Sequence, residues 1–339
     1  MEKVSTLPSK VQQIGLISIL RWIRRKLLSR SEMALLVLLL LVGLALSLRT
    51  STFFTTTNMF NIARQSSWFA IAAFGVSMVI IIGGIDLSVG ALMALAGAVC
   101  ALAMQAGMPV GIAILLGLAS STSFGFVNGL LVGQVRLPPF MVTLGIMGIV
   151  RGLTLGITGG EPLRALPGSF TALGQNSLQL GTFSTPLPVI WMLAFGILMG
   201  LLLHTTVLGR YIYTLGSDEQ ALLAVGIRTP RIKVLVYSLS GLLAGIAGVI
   251  MTARLGVAAP TAANGYELDI IAAAVIGGAS LFGGEGTVVG VILGAVLMQT
   301  LRNGLVQLGT QAYWQVGAIG IITLIVLLLD HSRRRQVEP

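Results

Sequence analysis

Two apolar stretches of this chain are interrupted in almost the same way. Ile82-Gly83-Gly84-Ile85-Asp86-Leu87-Ser88-Val89-Gly90 is matched 194 positions later by Ile276-Gly277-Gly278-Ala279-Ser280-Leu281-Phe282-Gly283-Gly284. Each copy leaves one apolar run and enters another, residues 91–103 after the first and 287–298 after the second. Only 9% of the 339 residues are charged and 55% are hydrophobic. A soluble domain carries roughly a quarter charged residues, so this chain cannot dress a surface for water and belongs in a bilayer. Backbone that leaves the helix inside lipid must be buried in protein or line a wet cavity. Spans broken at corresponding places in two halves point to a transport pathway.

Windows of about 19 residues mark ten candidate spans. They fall at 32–49, 62–82, 87–106, 109–133, 139–158, 187–204, 232–253, 268–281, 287–308 and 314–329. The expected architecture is all-α and polytopic, about ten transmembrane helices with a broken-helix internal repeat. A basic segment 1–30 precedes a transmembrane body 31–330 and a tail 331–339. Basic residues favour the cytoplasmic side. With the N-terminus inside, fifteen of the 21 Lys and Arg fall on that side, and four (Arg49, Arg64, Arg164, Arg254) fall outside. Both termini are therefore expected in the cytoplasm, and topology rather than nucleic acid accounts for the net charge of +10. Residues 11–28 carry apolar side chains at helical spacing, with Arg21, Arg24, Arg25 and Lys26 near one end. Such a segment is expected to lie on an anionic lipid surface. Residues 159–186, rich in Gly, Pro, Ser and Thr, are expected to form an outer loop with little regular structure. Gly241 with Gly245, and Gly290 with Gly294, are spaced for close helix packing.

Between the sixth and seventh spans lies a candidate cytoplasmic handle, residues 208–231. Ser217 and Gln220 have the spacing of a capping box, and Asp218 and Glu219 put negative charge in a first helical turn. Gly226 suits the left-handed position after a helix, and Pro230 prevents its continuation. A two-turn helix over 218–225 is expected. So short a helix needs a surface, either its own membrane domain or a cytoplasmic partner.

Ionisable residues inside spans are costly and mark function. Asp86 is read either as lining the pathway or, with Ser88 as the alternative, as the cap of a helix beginning near residue 87; Ser280 is its counterpart in the second copy. Asn128, Gln299 and Asn303 are expected to serve interhelical hydrogen bonds or to touch the passing solute, and Trp68, with Gln65 beside it, to mark an outer-interface belt or the mouth of the cavity. Arg151 and Arg302 are expected to lie near span ends or to reach for headgroups, and Glu267 and Asp269 to serve the first turn of the eighth span or to contact an external protein. No G-x-x-x-x-G-K-[ST] occurs, so this chain lacks that phosphate-cradling loop. No nucleophile–base or metal constellation stands out, and no catalytic, cofactor or metal residue is expected. Energy comes from another polypeptide or from an ion gradient.

The first glycine break, Pro139-Phe-Met-Val-Thr-Leu-Gly145 with Arg151-Gly152, residues 216–237 and the run from Pro260 to Gly284 together resemble a known family. These are the permease subunits of ATP-binding-cassette importers for monosaccharides of the ribose, xylose, arabinose and galactose type, with the related autoinducer-2 permeases. The resemblance covers nearly all of residues 55–330. It implies a bacterial inner-membrane protein, a second permease copy or paralogue, two ATPase subunits on the cytoplasmic face and a sugar-binding protein outside. In that scheme the segment with Ser217, Asp218, Glu219, Gln220 and Gly226 resembles the coupling helix that sits in a groove of the ATPase. Glu285 stands where relatives often carry a basic residue. The alternative is an ion-coupled secondary transporter with Asp86 as its titrating group.

Overall fold

The computed structural model describes residues 30–180, 183–311, 313–315, 317–321 and 324. The expected surface segment 11–28, much of the expected span 314–329 and the tail 331–339 lie outside the described residues. In chain order the helices are α1 (Arg30–Arg49), α2 (Thr56–Ile81), α3 (Val89–Gln105), α4 (Val110–Gly133), α5 (Pro139–Thr158) and α6 (Gly168–Gln175). They continue with α7 (Leu187–Thr205), α8 (Val207–Ser217), α9 (Glu219–Ala224), α10 (Thr229–Leu255), α11 (Tyr266–Ile276) and α12 (Val288–Gln307). Seven of them, α1, α2, α4, α5, α7, α10 and α12, are long and apolar enough to cross a membrane. The count falls short of ten partly because the glycine breaks shorten two elements: α3 has 17 residues and α11 only 11. The all-α polytopic class is as expected.

Burial sorts the helices. Most of the apolar length of α2 and α10 is interior, whereas α1, α4, α5 and α7 turn most of theirs outward, as helices facing lipid do. The long α10 packs against α4, α2 and α3. Its approach to α4 is close enough to require glycine: a Cβ on Gly125 would stand 3.0 Å from the Cα of Gly241. Gly245 meets Ser121 of α4, and Gly290 and Gly294 of α12 lie against Gly277 and Ala273, so both expected small-residue faces are packing faces.

The connection 159–186 departs from expectation. It contains α6 and an antiparallel hairpin of β1 (Ser177–Leu180) and β2 (Phe183–Pro186). Its order comes from tertiary contact: Phe170 is fully buried among Cys100, Val249 and Ala253, and Gly174 abuts the backbone of Arg254.

Both breaks begin with one hydrogen-bonded turn. Ile82 N donates to Met78 O, Gly83 N to Ile80 O and Gly84 N to Val79 O. Gly277 N, Gly278 N and Ala279 N repeat the pattern onto Ala273, Val275 and Ala274. The letters of the two copies align 194 apart, but the hydrogen bonds align 195 apart. The residue that turns left-handed is the first glycine of the first pair (Gly83, φ 77°) and the second of the second pair (Gly278, φ 97°).

Crowding at the α4–α10 contact makes a direct test. Gly125→Leu should destabilise the purified protein by about 1–3 kcal/mol, read as thermal unfolding in detergent. Gly148→Leu, at a glycine with nothing within 4 Å of its Cβ position, should leave the unfolding of the isolated chain unchanged.

Candidate functional site

After the first turn the chain runs without regular structure to Ser88 and carries Asp86, fully buried. Asp86 Oδ1 accepts from the Ser88 amide (2.9 Å) and the Ser88 hydroxyl (2.6 Å), and Oδ2 accepts from Ser240 Oγ of α10 (2.9 Å). Asn128 Nδ2 of α4 donates to Ser88 Oγ (2.9 Å), and Thr143 of α5 donates to Ile85 O (3.1 Å). The break is thus tied to α4, α5 and α10. Asp86 is not the N-cap: α3 starts at Val89, its cap position is Ser88 without a side-chain cap bond, and Asp86 closes a turn on the Ser88 amide two residues on. Nor does Ser280 cap α12. The second break is longer, residues 277–287 against 82–88, which leaves Ser280 in a turn where its Oγ accepts from Phe282 N (3.3 Å). Thr287 is the cap, accepting from Gly290 N at 3.0 Å while donating to Glu32 of α1. Among the described residues, two buried polar atoms near the break have no hydrogen-bond partner, Tyr237 Oη and Asn128 Oδ1. A Cβ on Gly84 would lie 2.5 Å from that Tyr237 hydroxyl.

Below Tyr237 is a cavity of about 550 Å³ whose walls include Gly83, Gly84, Arg136, Lys233, Glu219 and Gln220. It separates the first break from α9. That helix spans six residues, and its cap is Asp218, whose Oδ1 accepts from Ala221 N at 3.0 Å. Ser217, the expected cap, is still helical at the end of α8, and its hydroxyl donates back to Tyr213 O (3.1 Å). The box with Gln220 is therefore not formed, and Gln220 faces the cavity. Gly226 takes the expected left-handed conformation (φ 78°), with Ile227 N bonded to Leu222 O at 3.0 Å. Glu219 clasps α9 to the first turns of α10, accepting from Thr229 Oγ1 (2.7 Å) and Lys233 Nζ (2.9 Å). Burial alone would raise its carboxyl. These two bonds and the charges of Lys233 and Arg136 outweigh that and hold it below its ordinary value.

At the opposite end lies a second cavity, about 490 Å³, with Gln65, Trp68, Arg254, Tyr266, Arg302 and Asn303 in its walls. Trp68 stacks on Tyr266 (centroids 5.6 Å apart, planes 10° apart), and the Arg302 guanidinium lies 4.3 Å from the same ring. Arg302 also pairs with Asp269, so it does not reach for headgroups, while Glu267 and Asp269 both lie in the first turn of α11 as expected. Arg151 likewise does not reach for headgroups: it donates to Ala262 O (2.7 Å) and Ala263 O (3.0 Å), with Glu267 at 3.8 Å. Asn303 exchanges two amide hydrogen bonds with Asn58, at 3.0 and 2.9 Å. Gln299 is buried on α12 and lines neither of these two cavities.

The sequence-derived residues thus fall into three groups: Gln65, Trp68 and Asn303 at one cavity, Asp86 and Asn128 at the break, and Asp218 to Gly226 beside the other cavity. Sequence reasoning missed Tyr237, Ser240, Asn58 and Tyr266. Ser240 and Asn58 are polar residues in apolar runs and could have been flagged as Asn128 was. The two tyrosines give no such signal.

A cavity near each end of a helical membrane body, with a broken-helix layer between them, fits a membrane permease, and the family to which the chain belongs makes it a transporter subunit rather than an enzyme. Residues 58–327 match the family described as branched-chain amino acid transport system / permease component, and the chain belongs to that family. It is 41% identical to the ribose import permease protein of Bacillus subtilis (strain 168), over 87% of this chain and 91% of the relative. Identity is 37% to the D-allose transport system permease protein of Escherichia coli (strain K12), over 87% and 89%. It is 34% to the autoinducer 2 import system permease protein of Yersinia enterocolitica, over 91% and 85%. No solved structure matches.

Two outcomes follow from the bonding. Asp86→Ala strands the donors of Ser88 and Ser240 and should cost about 2–4 kcal/mol, whereas Asp86→Asn keeps an acceptor oxygen and should cost less, both read by thermal unfolding. The Glu219 clasp is complete above the ordinary carboxylate value of 4.5 and is lost as pH falls through its lower folded value. Amide protection over 219–224 should therefore be flat from about pH 7 to 5 and drop only in stronger acid; Glu219→Gln should abolish that pH response.

Proposed function

We propose that the chain is the membrane-spanning subunit of an ATP-driven importer for a monosaccharide or related polyol, moved by separate ATPase subunits that seat on α9. The observation that carries this reading is the linkage of α9 to the first break. Glu219 fastens α9 to α10 through Thr229 and Lys233, and further along α10 Tyr237 and Ser240 stand against Gly84 and Asp86. A displacement of α9 is therefore delivered to the glycine break between the two cavities. Residues Asp218 to Gly226 form the coupling helix, with Leu223 and Val225 exposed for the motor.

In this arrangement α9 and both termini face the cytoplasm of a bacterium. A soluble binding protein delivers solute to the cavity lined by Gln65, Trp68 and Asn303, whose amides suit sugar hydroxyls. The ribose and allose relatives support a sugar as cargo. A second permease packs along α5, where Gly145, Gly148, Gly152 and Gly156 face open space; stripes of small residues let membrane helices approach closely. Ion coupling through Asp86 is the weaker reading, because both of its oxygens already hold hydroxyl or amide donors.

Reconstitution in vesicles tests the reading. With its ATPase, the protein should accumulate sugar only when ATP is supplied, and an uncoupler should not stop it; Asp86→Asn should retain ATP dependence. Uphill accumulation by the chain without an ATPase would overturn it.

A further inference from the structure

The second break carries a feature that the transport pathway does not use. Its turn, residues 280–286, projects Phe282, which is 87% exposed, the most exposed large apolar side chain among the described residues. Leu281 beside it is about half exposed. The turn is held firmly. Ser280 N donates to Glu285 O (3.1 Å) and Gly283 N to Ser280 O (2.9 Å), while Tyr213 Oη of α8 donates to Gly286 O (2.7 Å).

It is also fused to the coupling segment through a joint built of main chain. Gly284 N donates to Ile81 O at the end of α2 (2.8 Å). A Cβ on Gly283 would stand 2.5 Å from Gly216 O, and one on Gly216 would overlap Ile81 O and lie 2.5 Å from Gly284 N. The ends of α2 and α8 and the second break thus meet with no room for side chains, immediately before Asp218 caps α9.

Resting on the coupling reading of α9, we propose that the turn 280–286, with Phe282 at its tip, is a second contact for the same ATPase subunit. Area argues for it. A stable protein interface uses about 800 Å² and roughly 20–30 residues per partner, and α9 supplies six. A subunit seated on α9 must spread onto what adjoins it, and this turn adjoins it through Ser217, which packs against Gly284. A rigid, exposed aromatic is the kind of anchor that carries binding energy, because little freedom is lost on docking. A motor engaging both elements would act on the two breaks together.

The test places a photoreactive benzoylphenylalanine at position 282, and separately at position 225 as reference, in the assembled importer in membranes. The expected result is an adduct with the ATPase polypeptide from both positions. An ATPase adduct from 225 with only lipid, permease or no adduct from 282 overturns the second contact and leaves the coupling reading standing. No ATPase adduct from either position removes both. Phe282→Ala, which uncovers no buried surface, should weaken ATPase retention about tenfold with unchanged thermal unfolding; unchanged retention overturns the proposal.

Discussion

Inside a bilayer an unbonded main-chain group has no water to turn to, and this constraint shapes the molecule wherever a helix ends within the body. At the first break the cost is met twice. A left-handed glycine closes the end of α2 on itself, and the Asp86 carboxylate then takes up the amide that precedes α3. That carboxylate could not remain buried alone. Ser88 and Ser240 satisfy it, and Asn128 in turn satisfies Ser88. One interrupted strand of backbone thus fixes the relative depth of α3, α4 and α10.

The second break solves the same problem without a buried charge at the corresponding place. Its longer excursion lets Thr287 cap α12, and the carboxylate that joins the bonding comes from Glu32 of α1. The repeat is one of turns, not of sites. Around the two breaks the molecule divides its polar groups by end: an aromatic and guanidinium stack at one cavity, an ion-paired clasp at the other.

Much of the body was legible from hydropathy alone. The span expected at 139–158 coincides with α5, and those expected at 109–133 and 187–204 agree with α4 and α7 to within a residue. Glycine pairs announced both breaks and the tight packing faces, because few other reasons place them there. What local pattern could not supply was any choice between neighbouring registers. Ser217 and Asp218 are both cap residue types and Ser217 alone has Gln220 three residues on, so only the continuation of α8 through Ser217 decides for Asp218. The order of residues 159–186 depends on burying Phe170 against distant helices, and the pairing of Arg302 with Asp269 joins residues on different helices. Neither leaves a trace in local composition.

The joint among Ile81, Gly216, Gly283 and Gly284 has a bearing on how such a protein can diverge. Peptide groups are the same in every polypeptide, so a joint made of them offers nothing to adjust by substitution; it either packs or it does not. On the proposed coupling, discrimination between one motor and another falls to the few outward-facing side chains of α9 and the neighbouring turn, where substitution is free. Partner choice can drift there while the main-chain joint stays fixed.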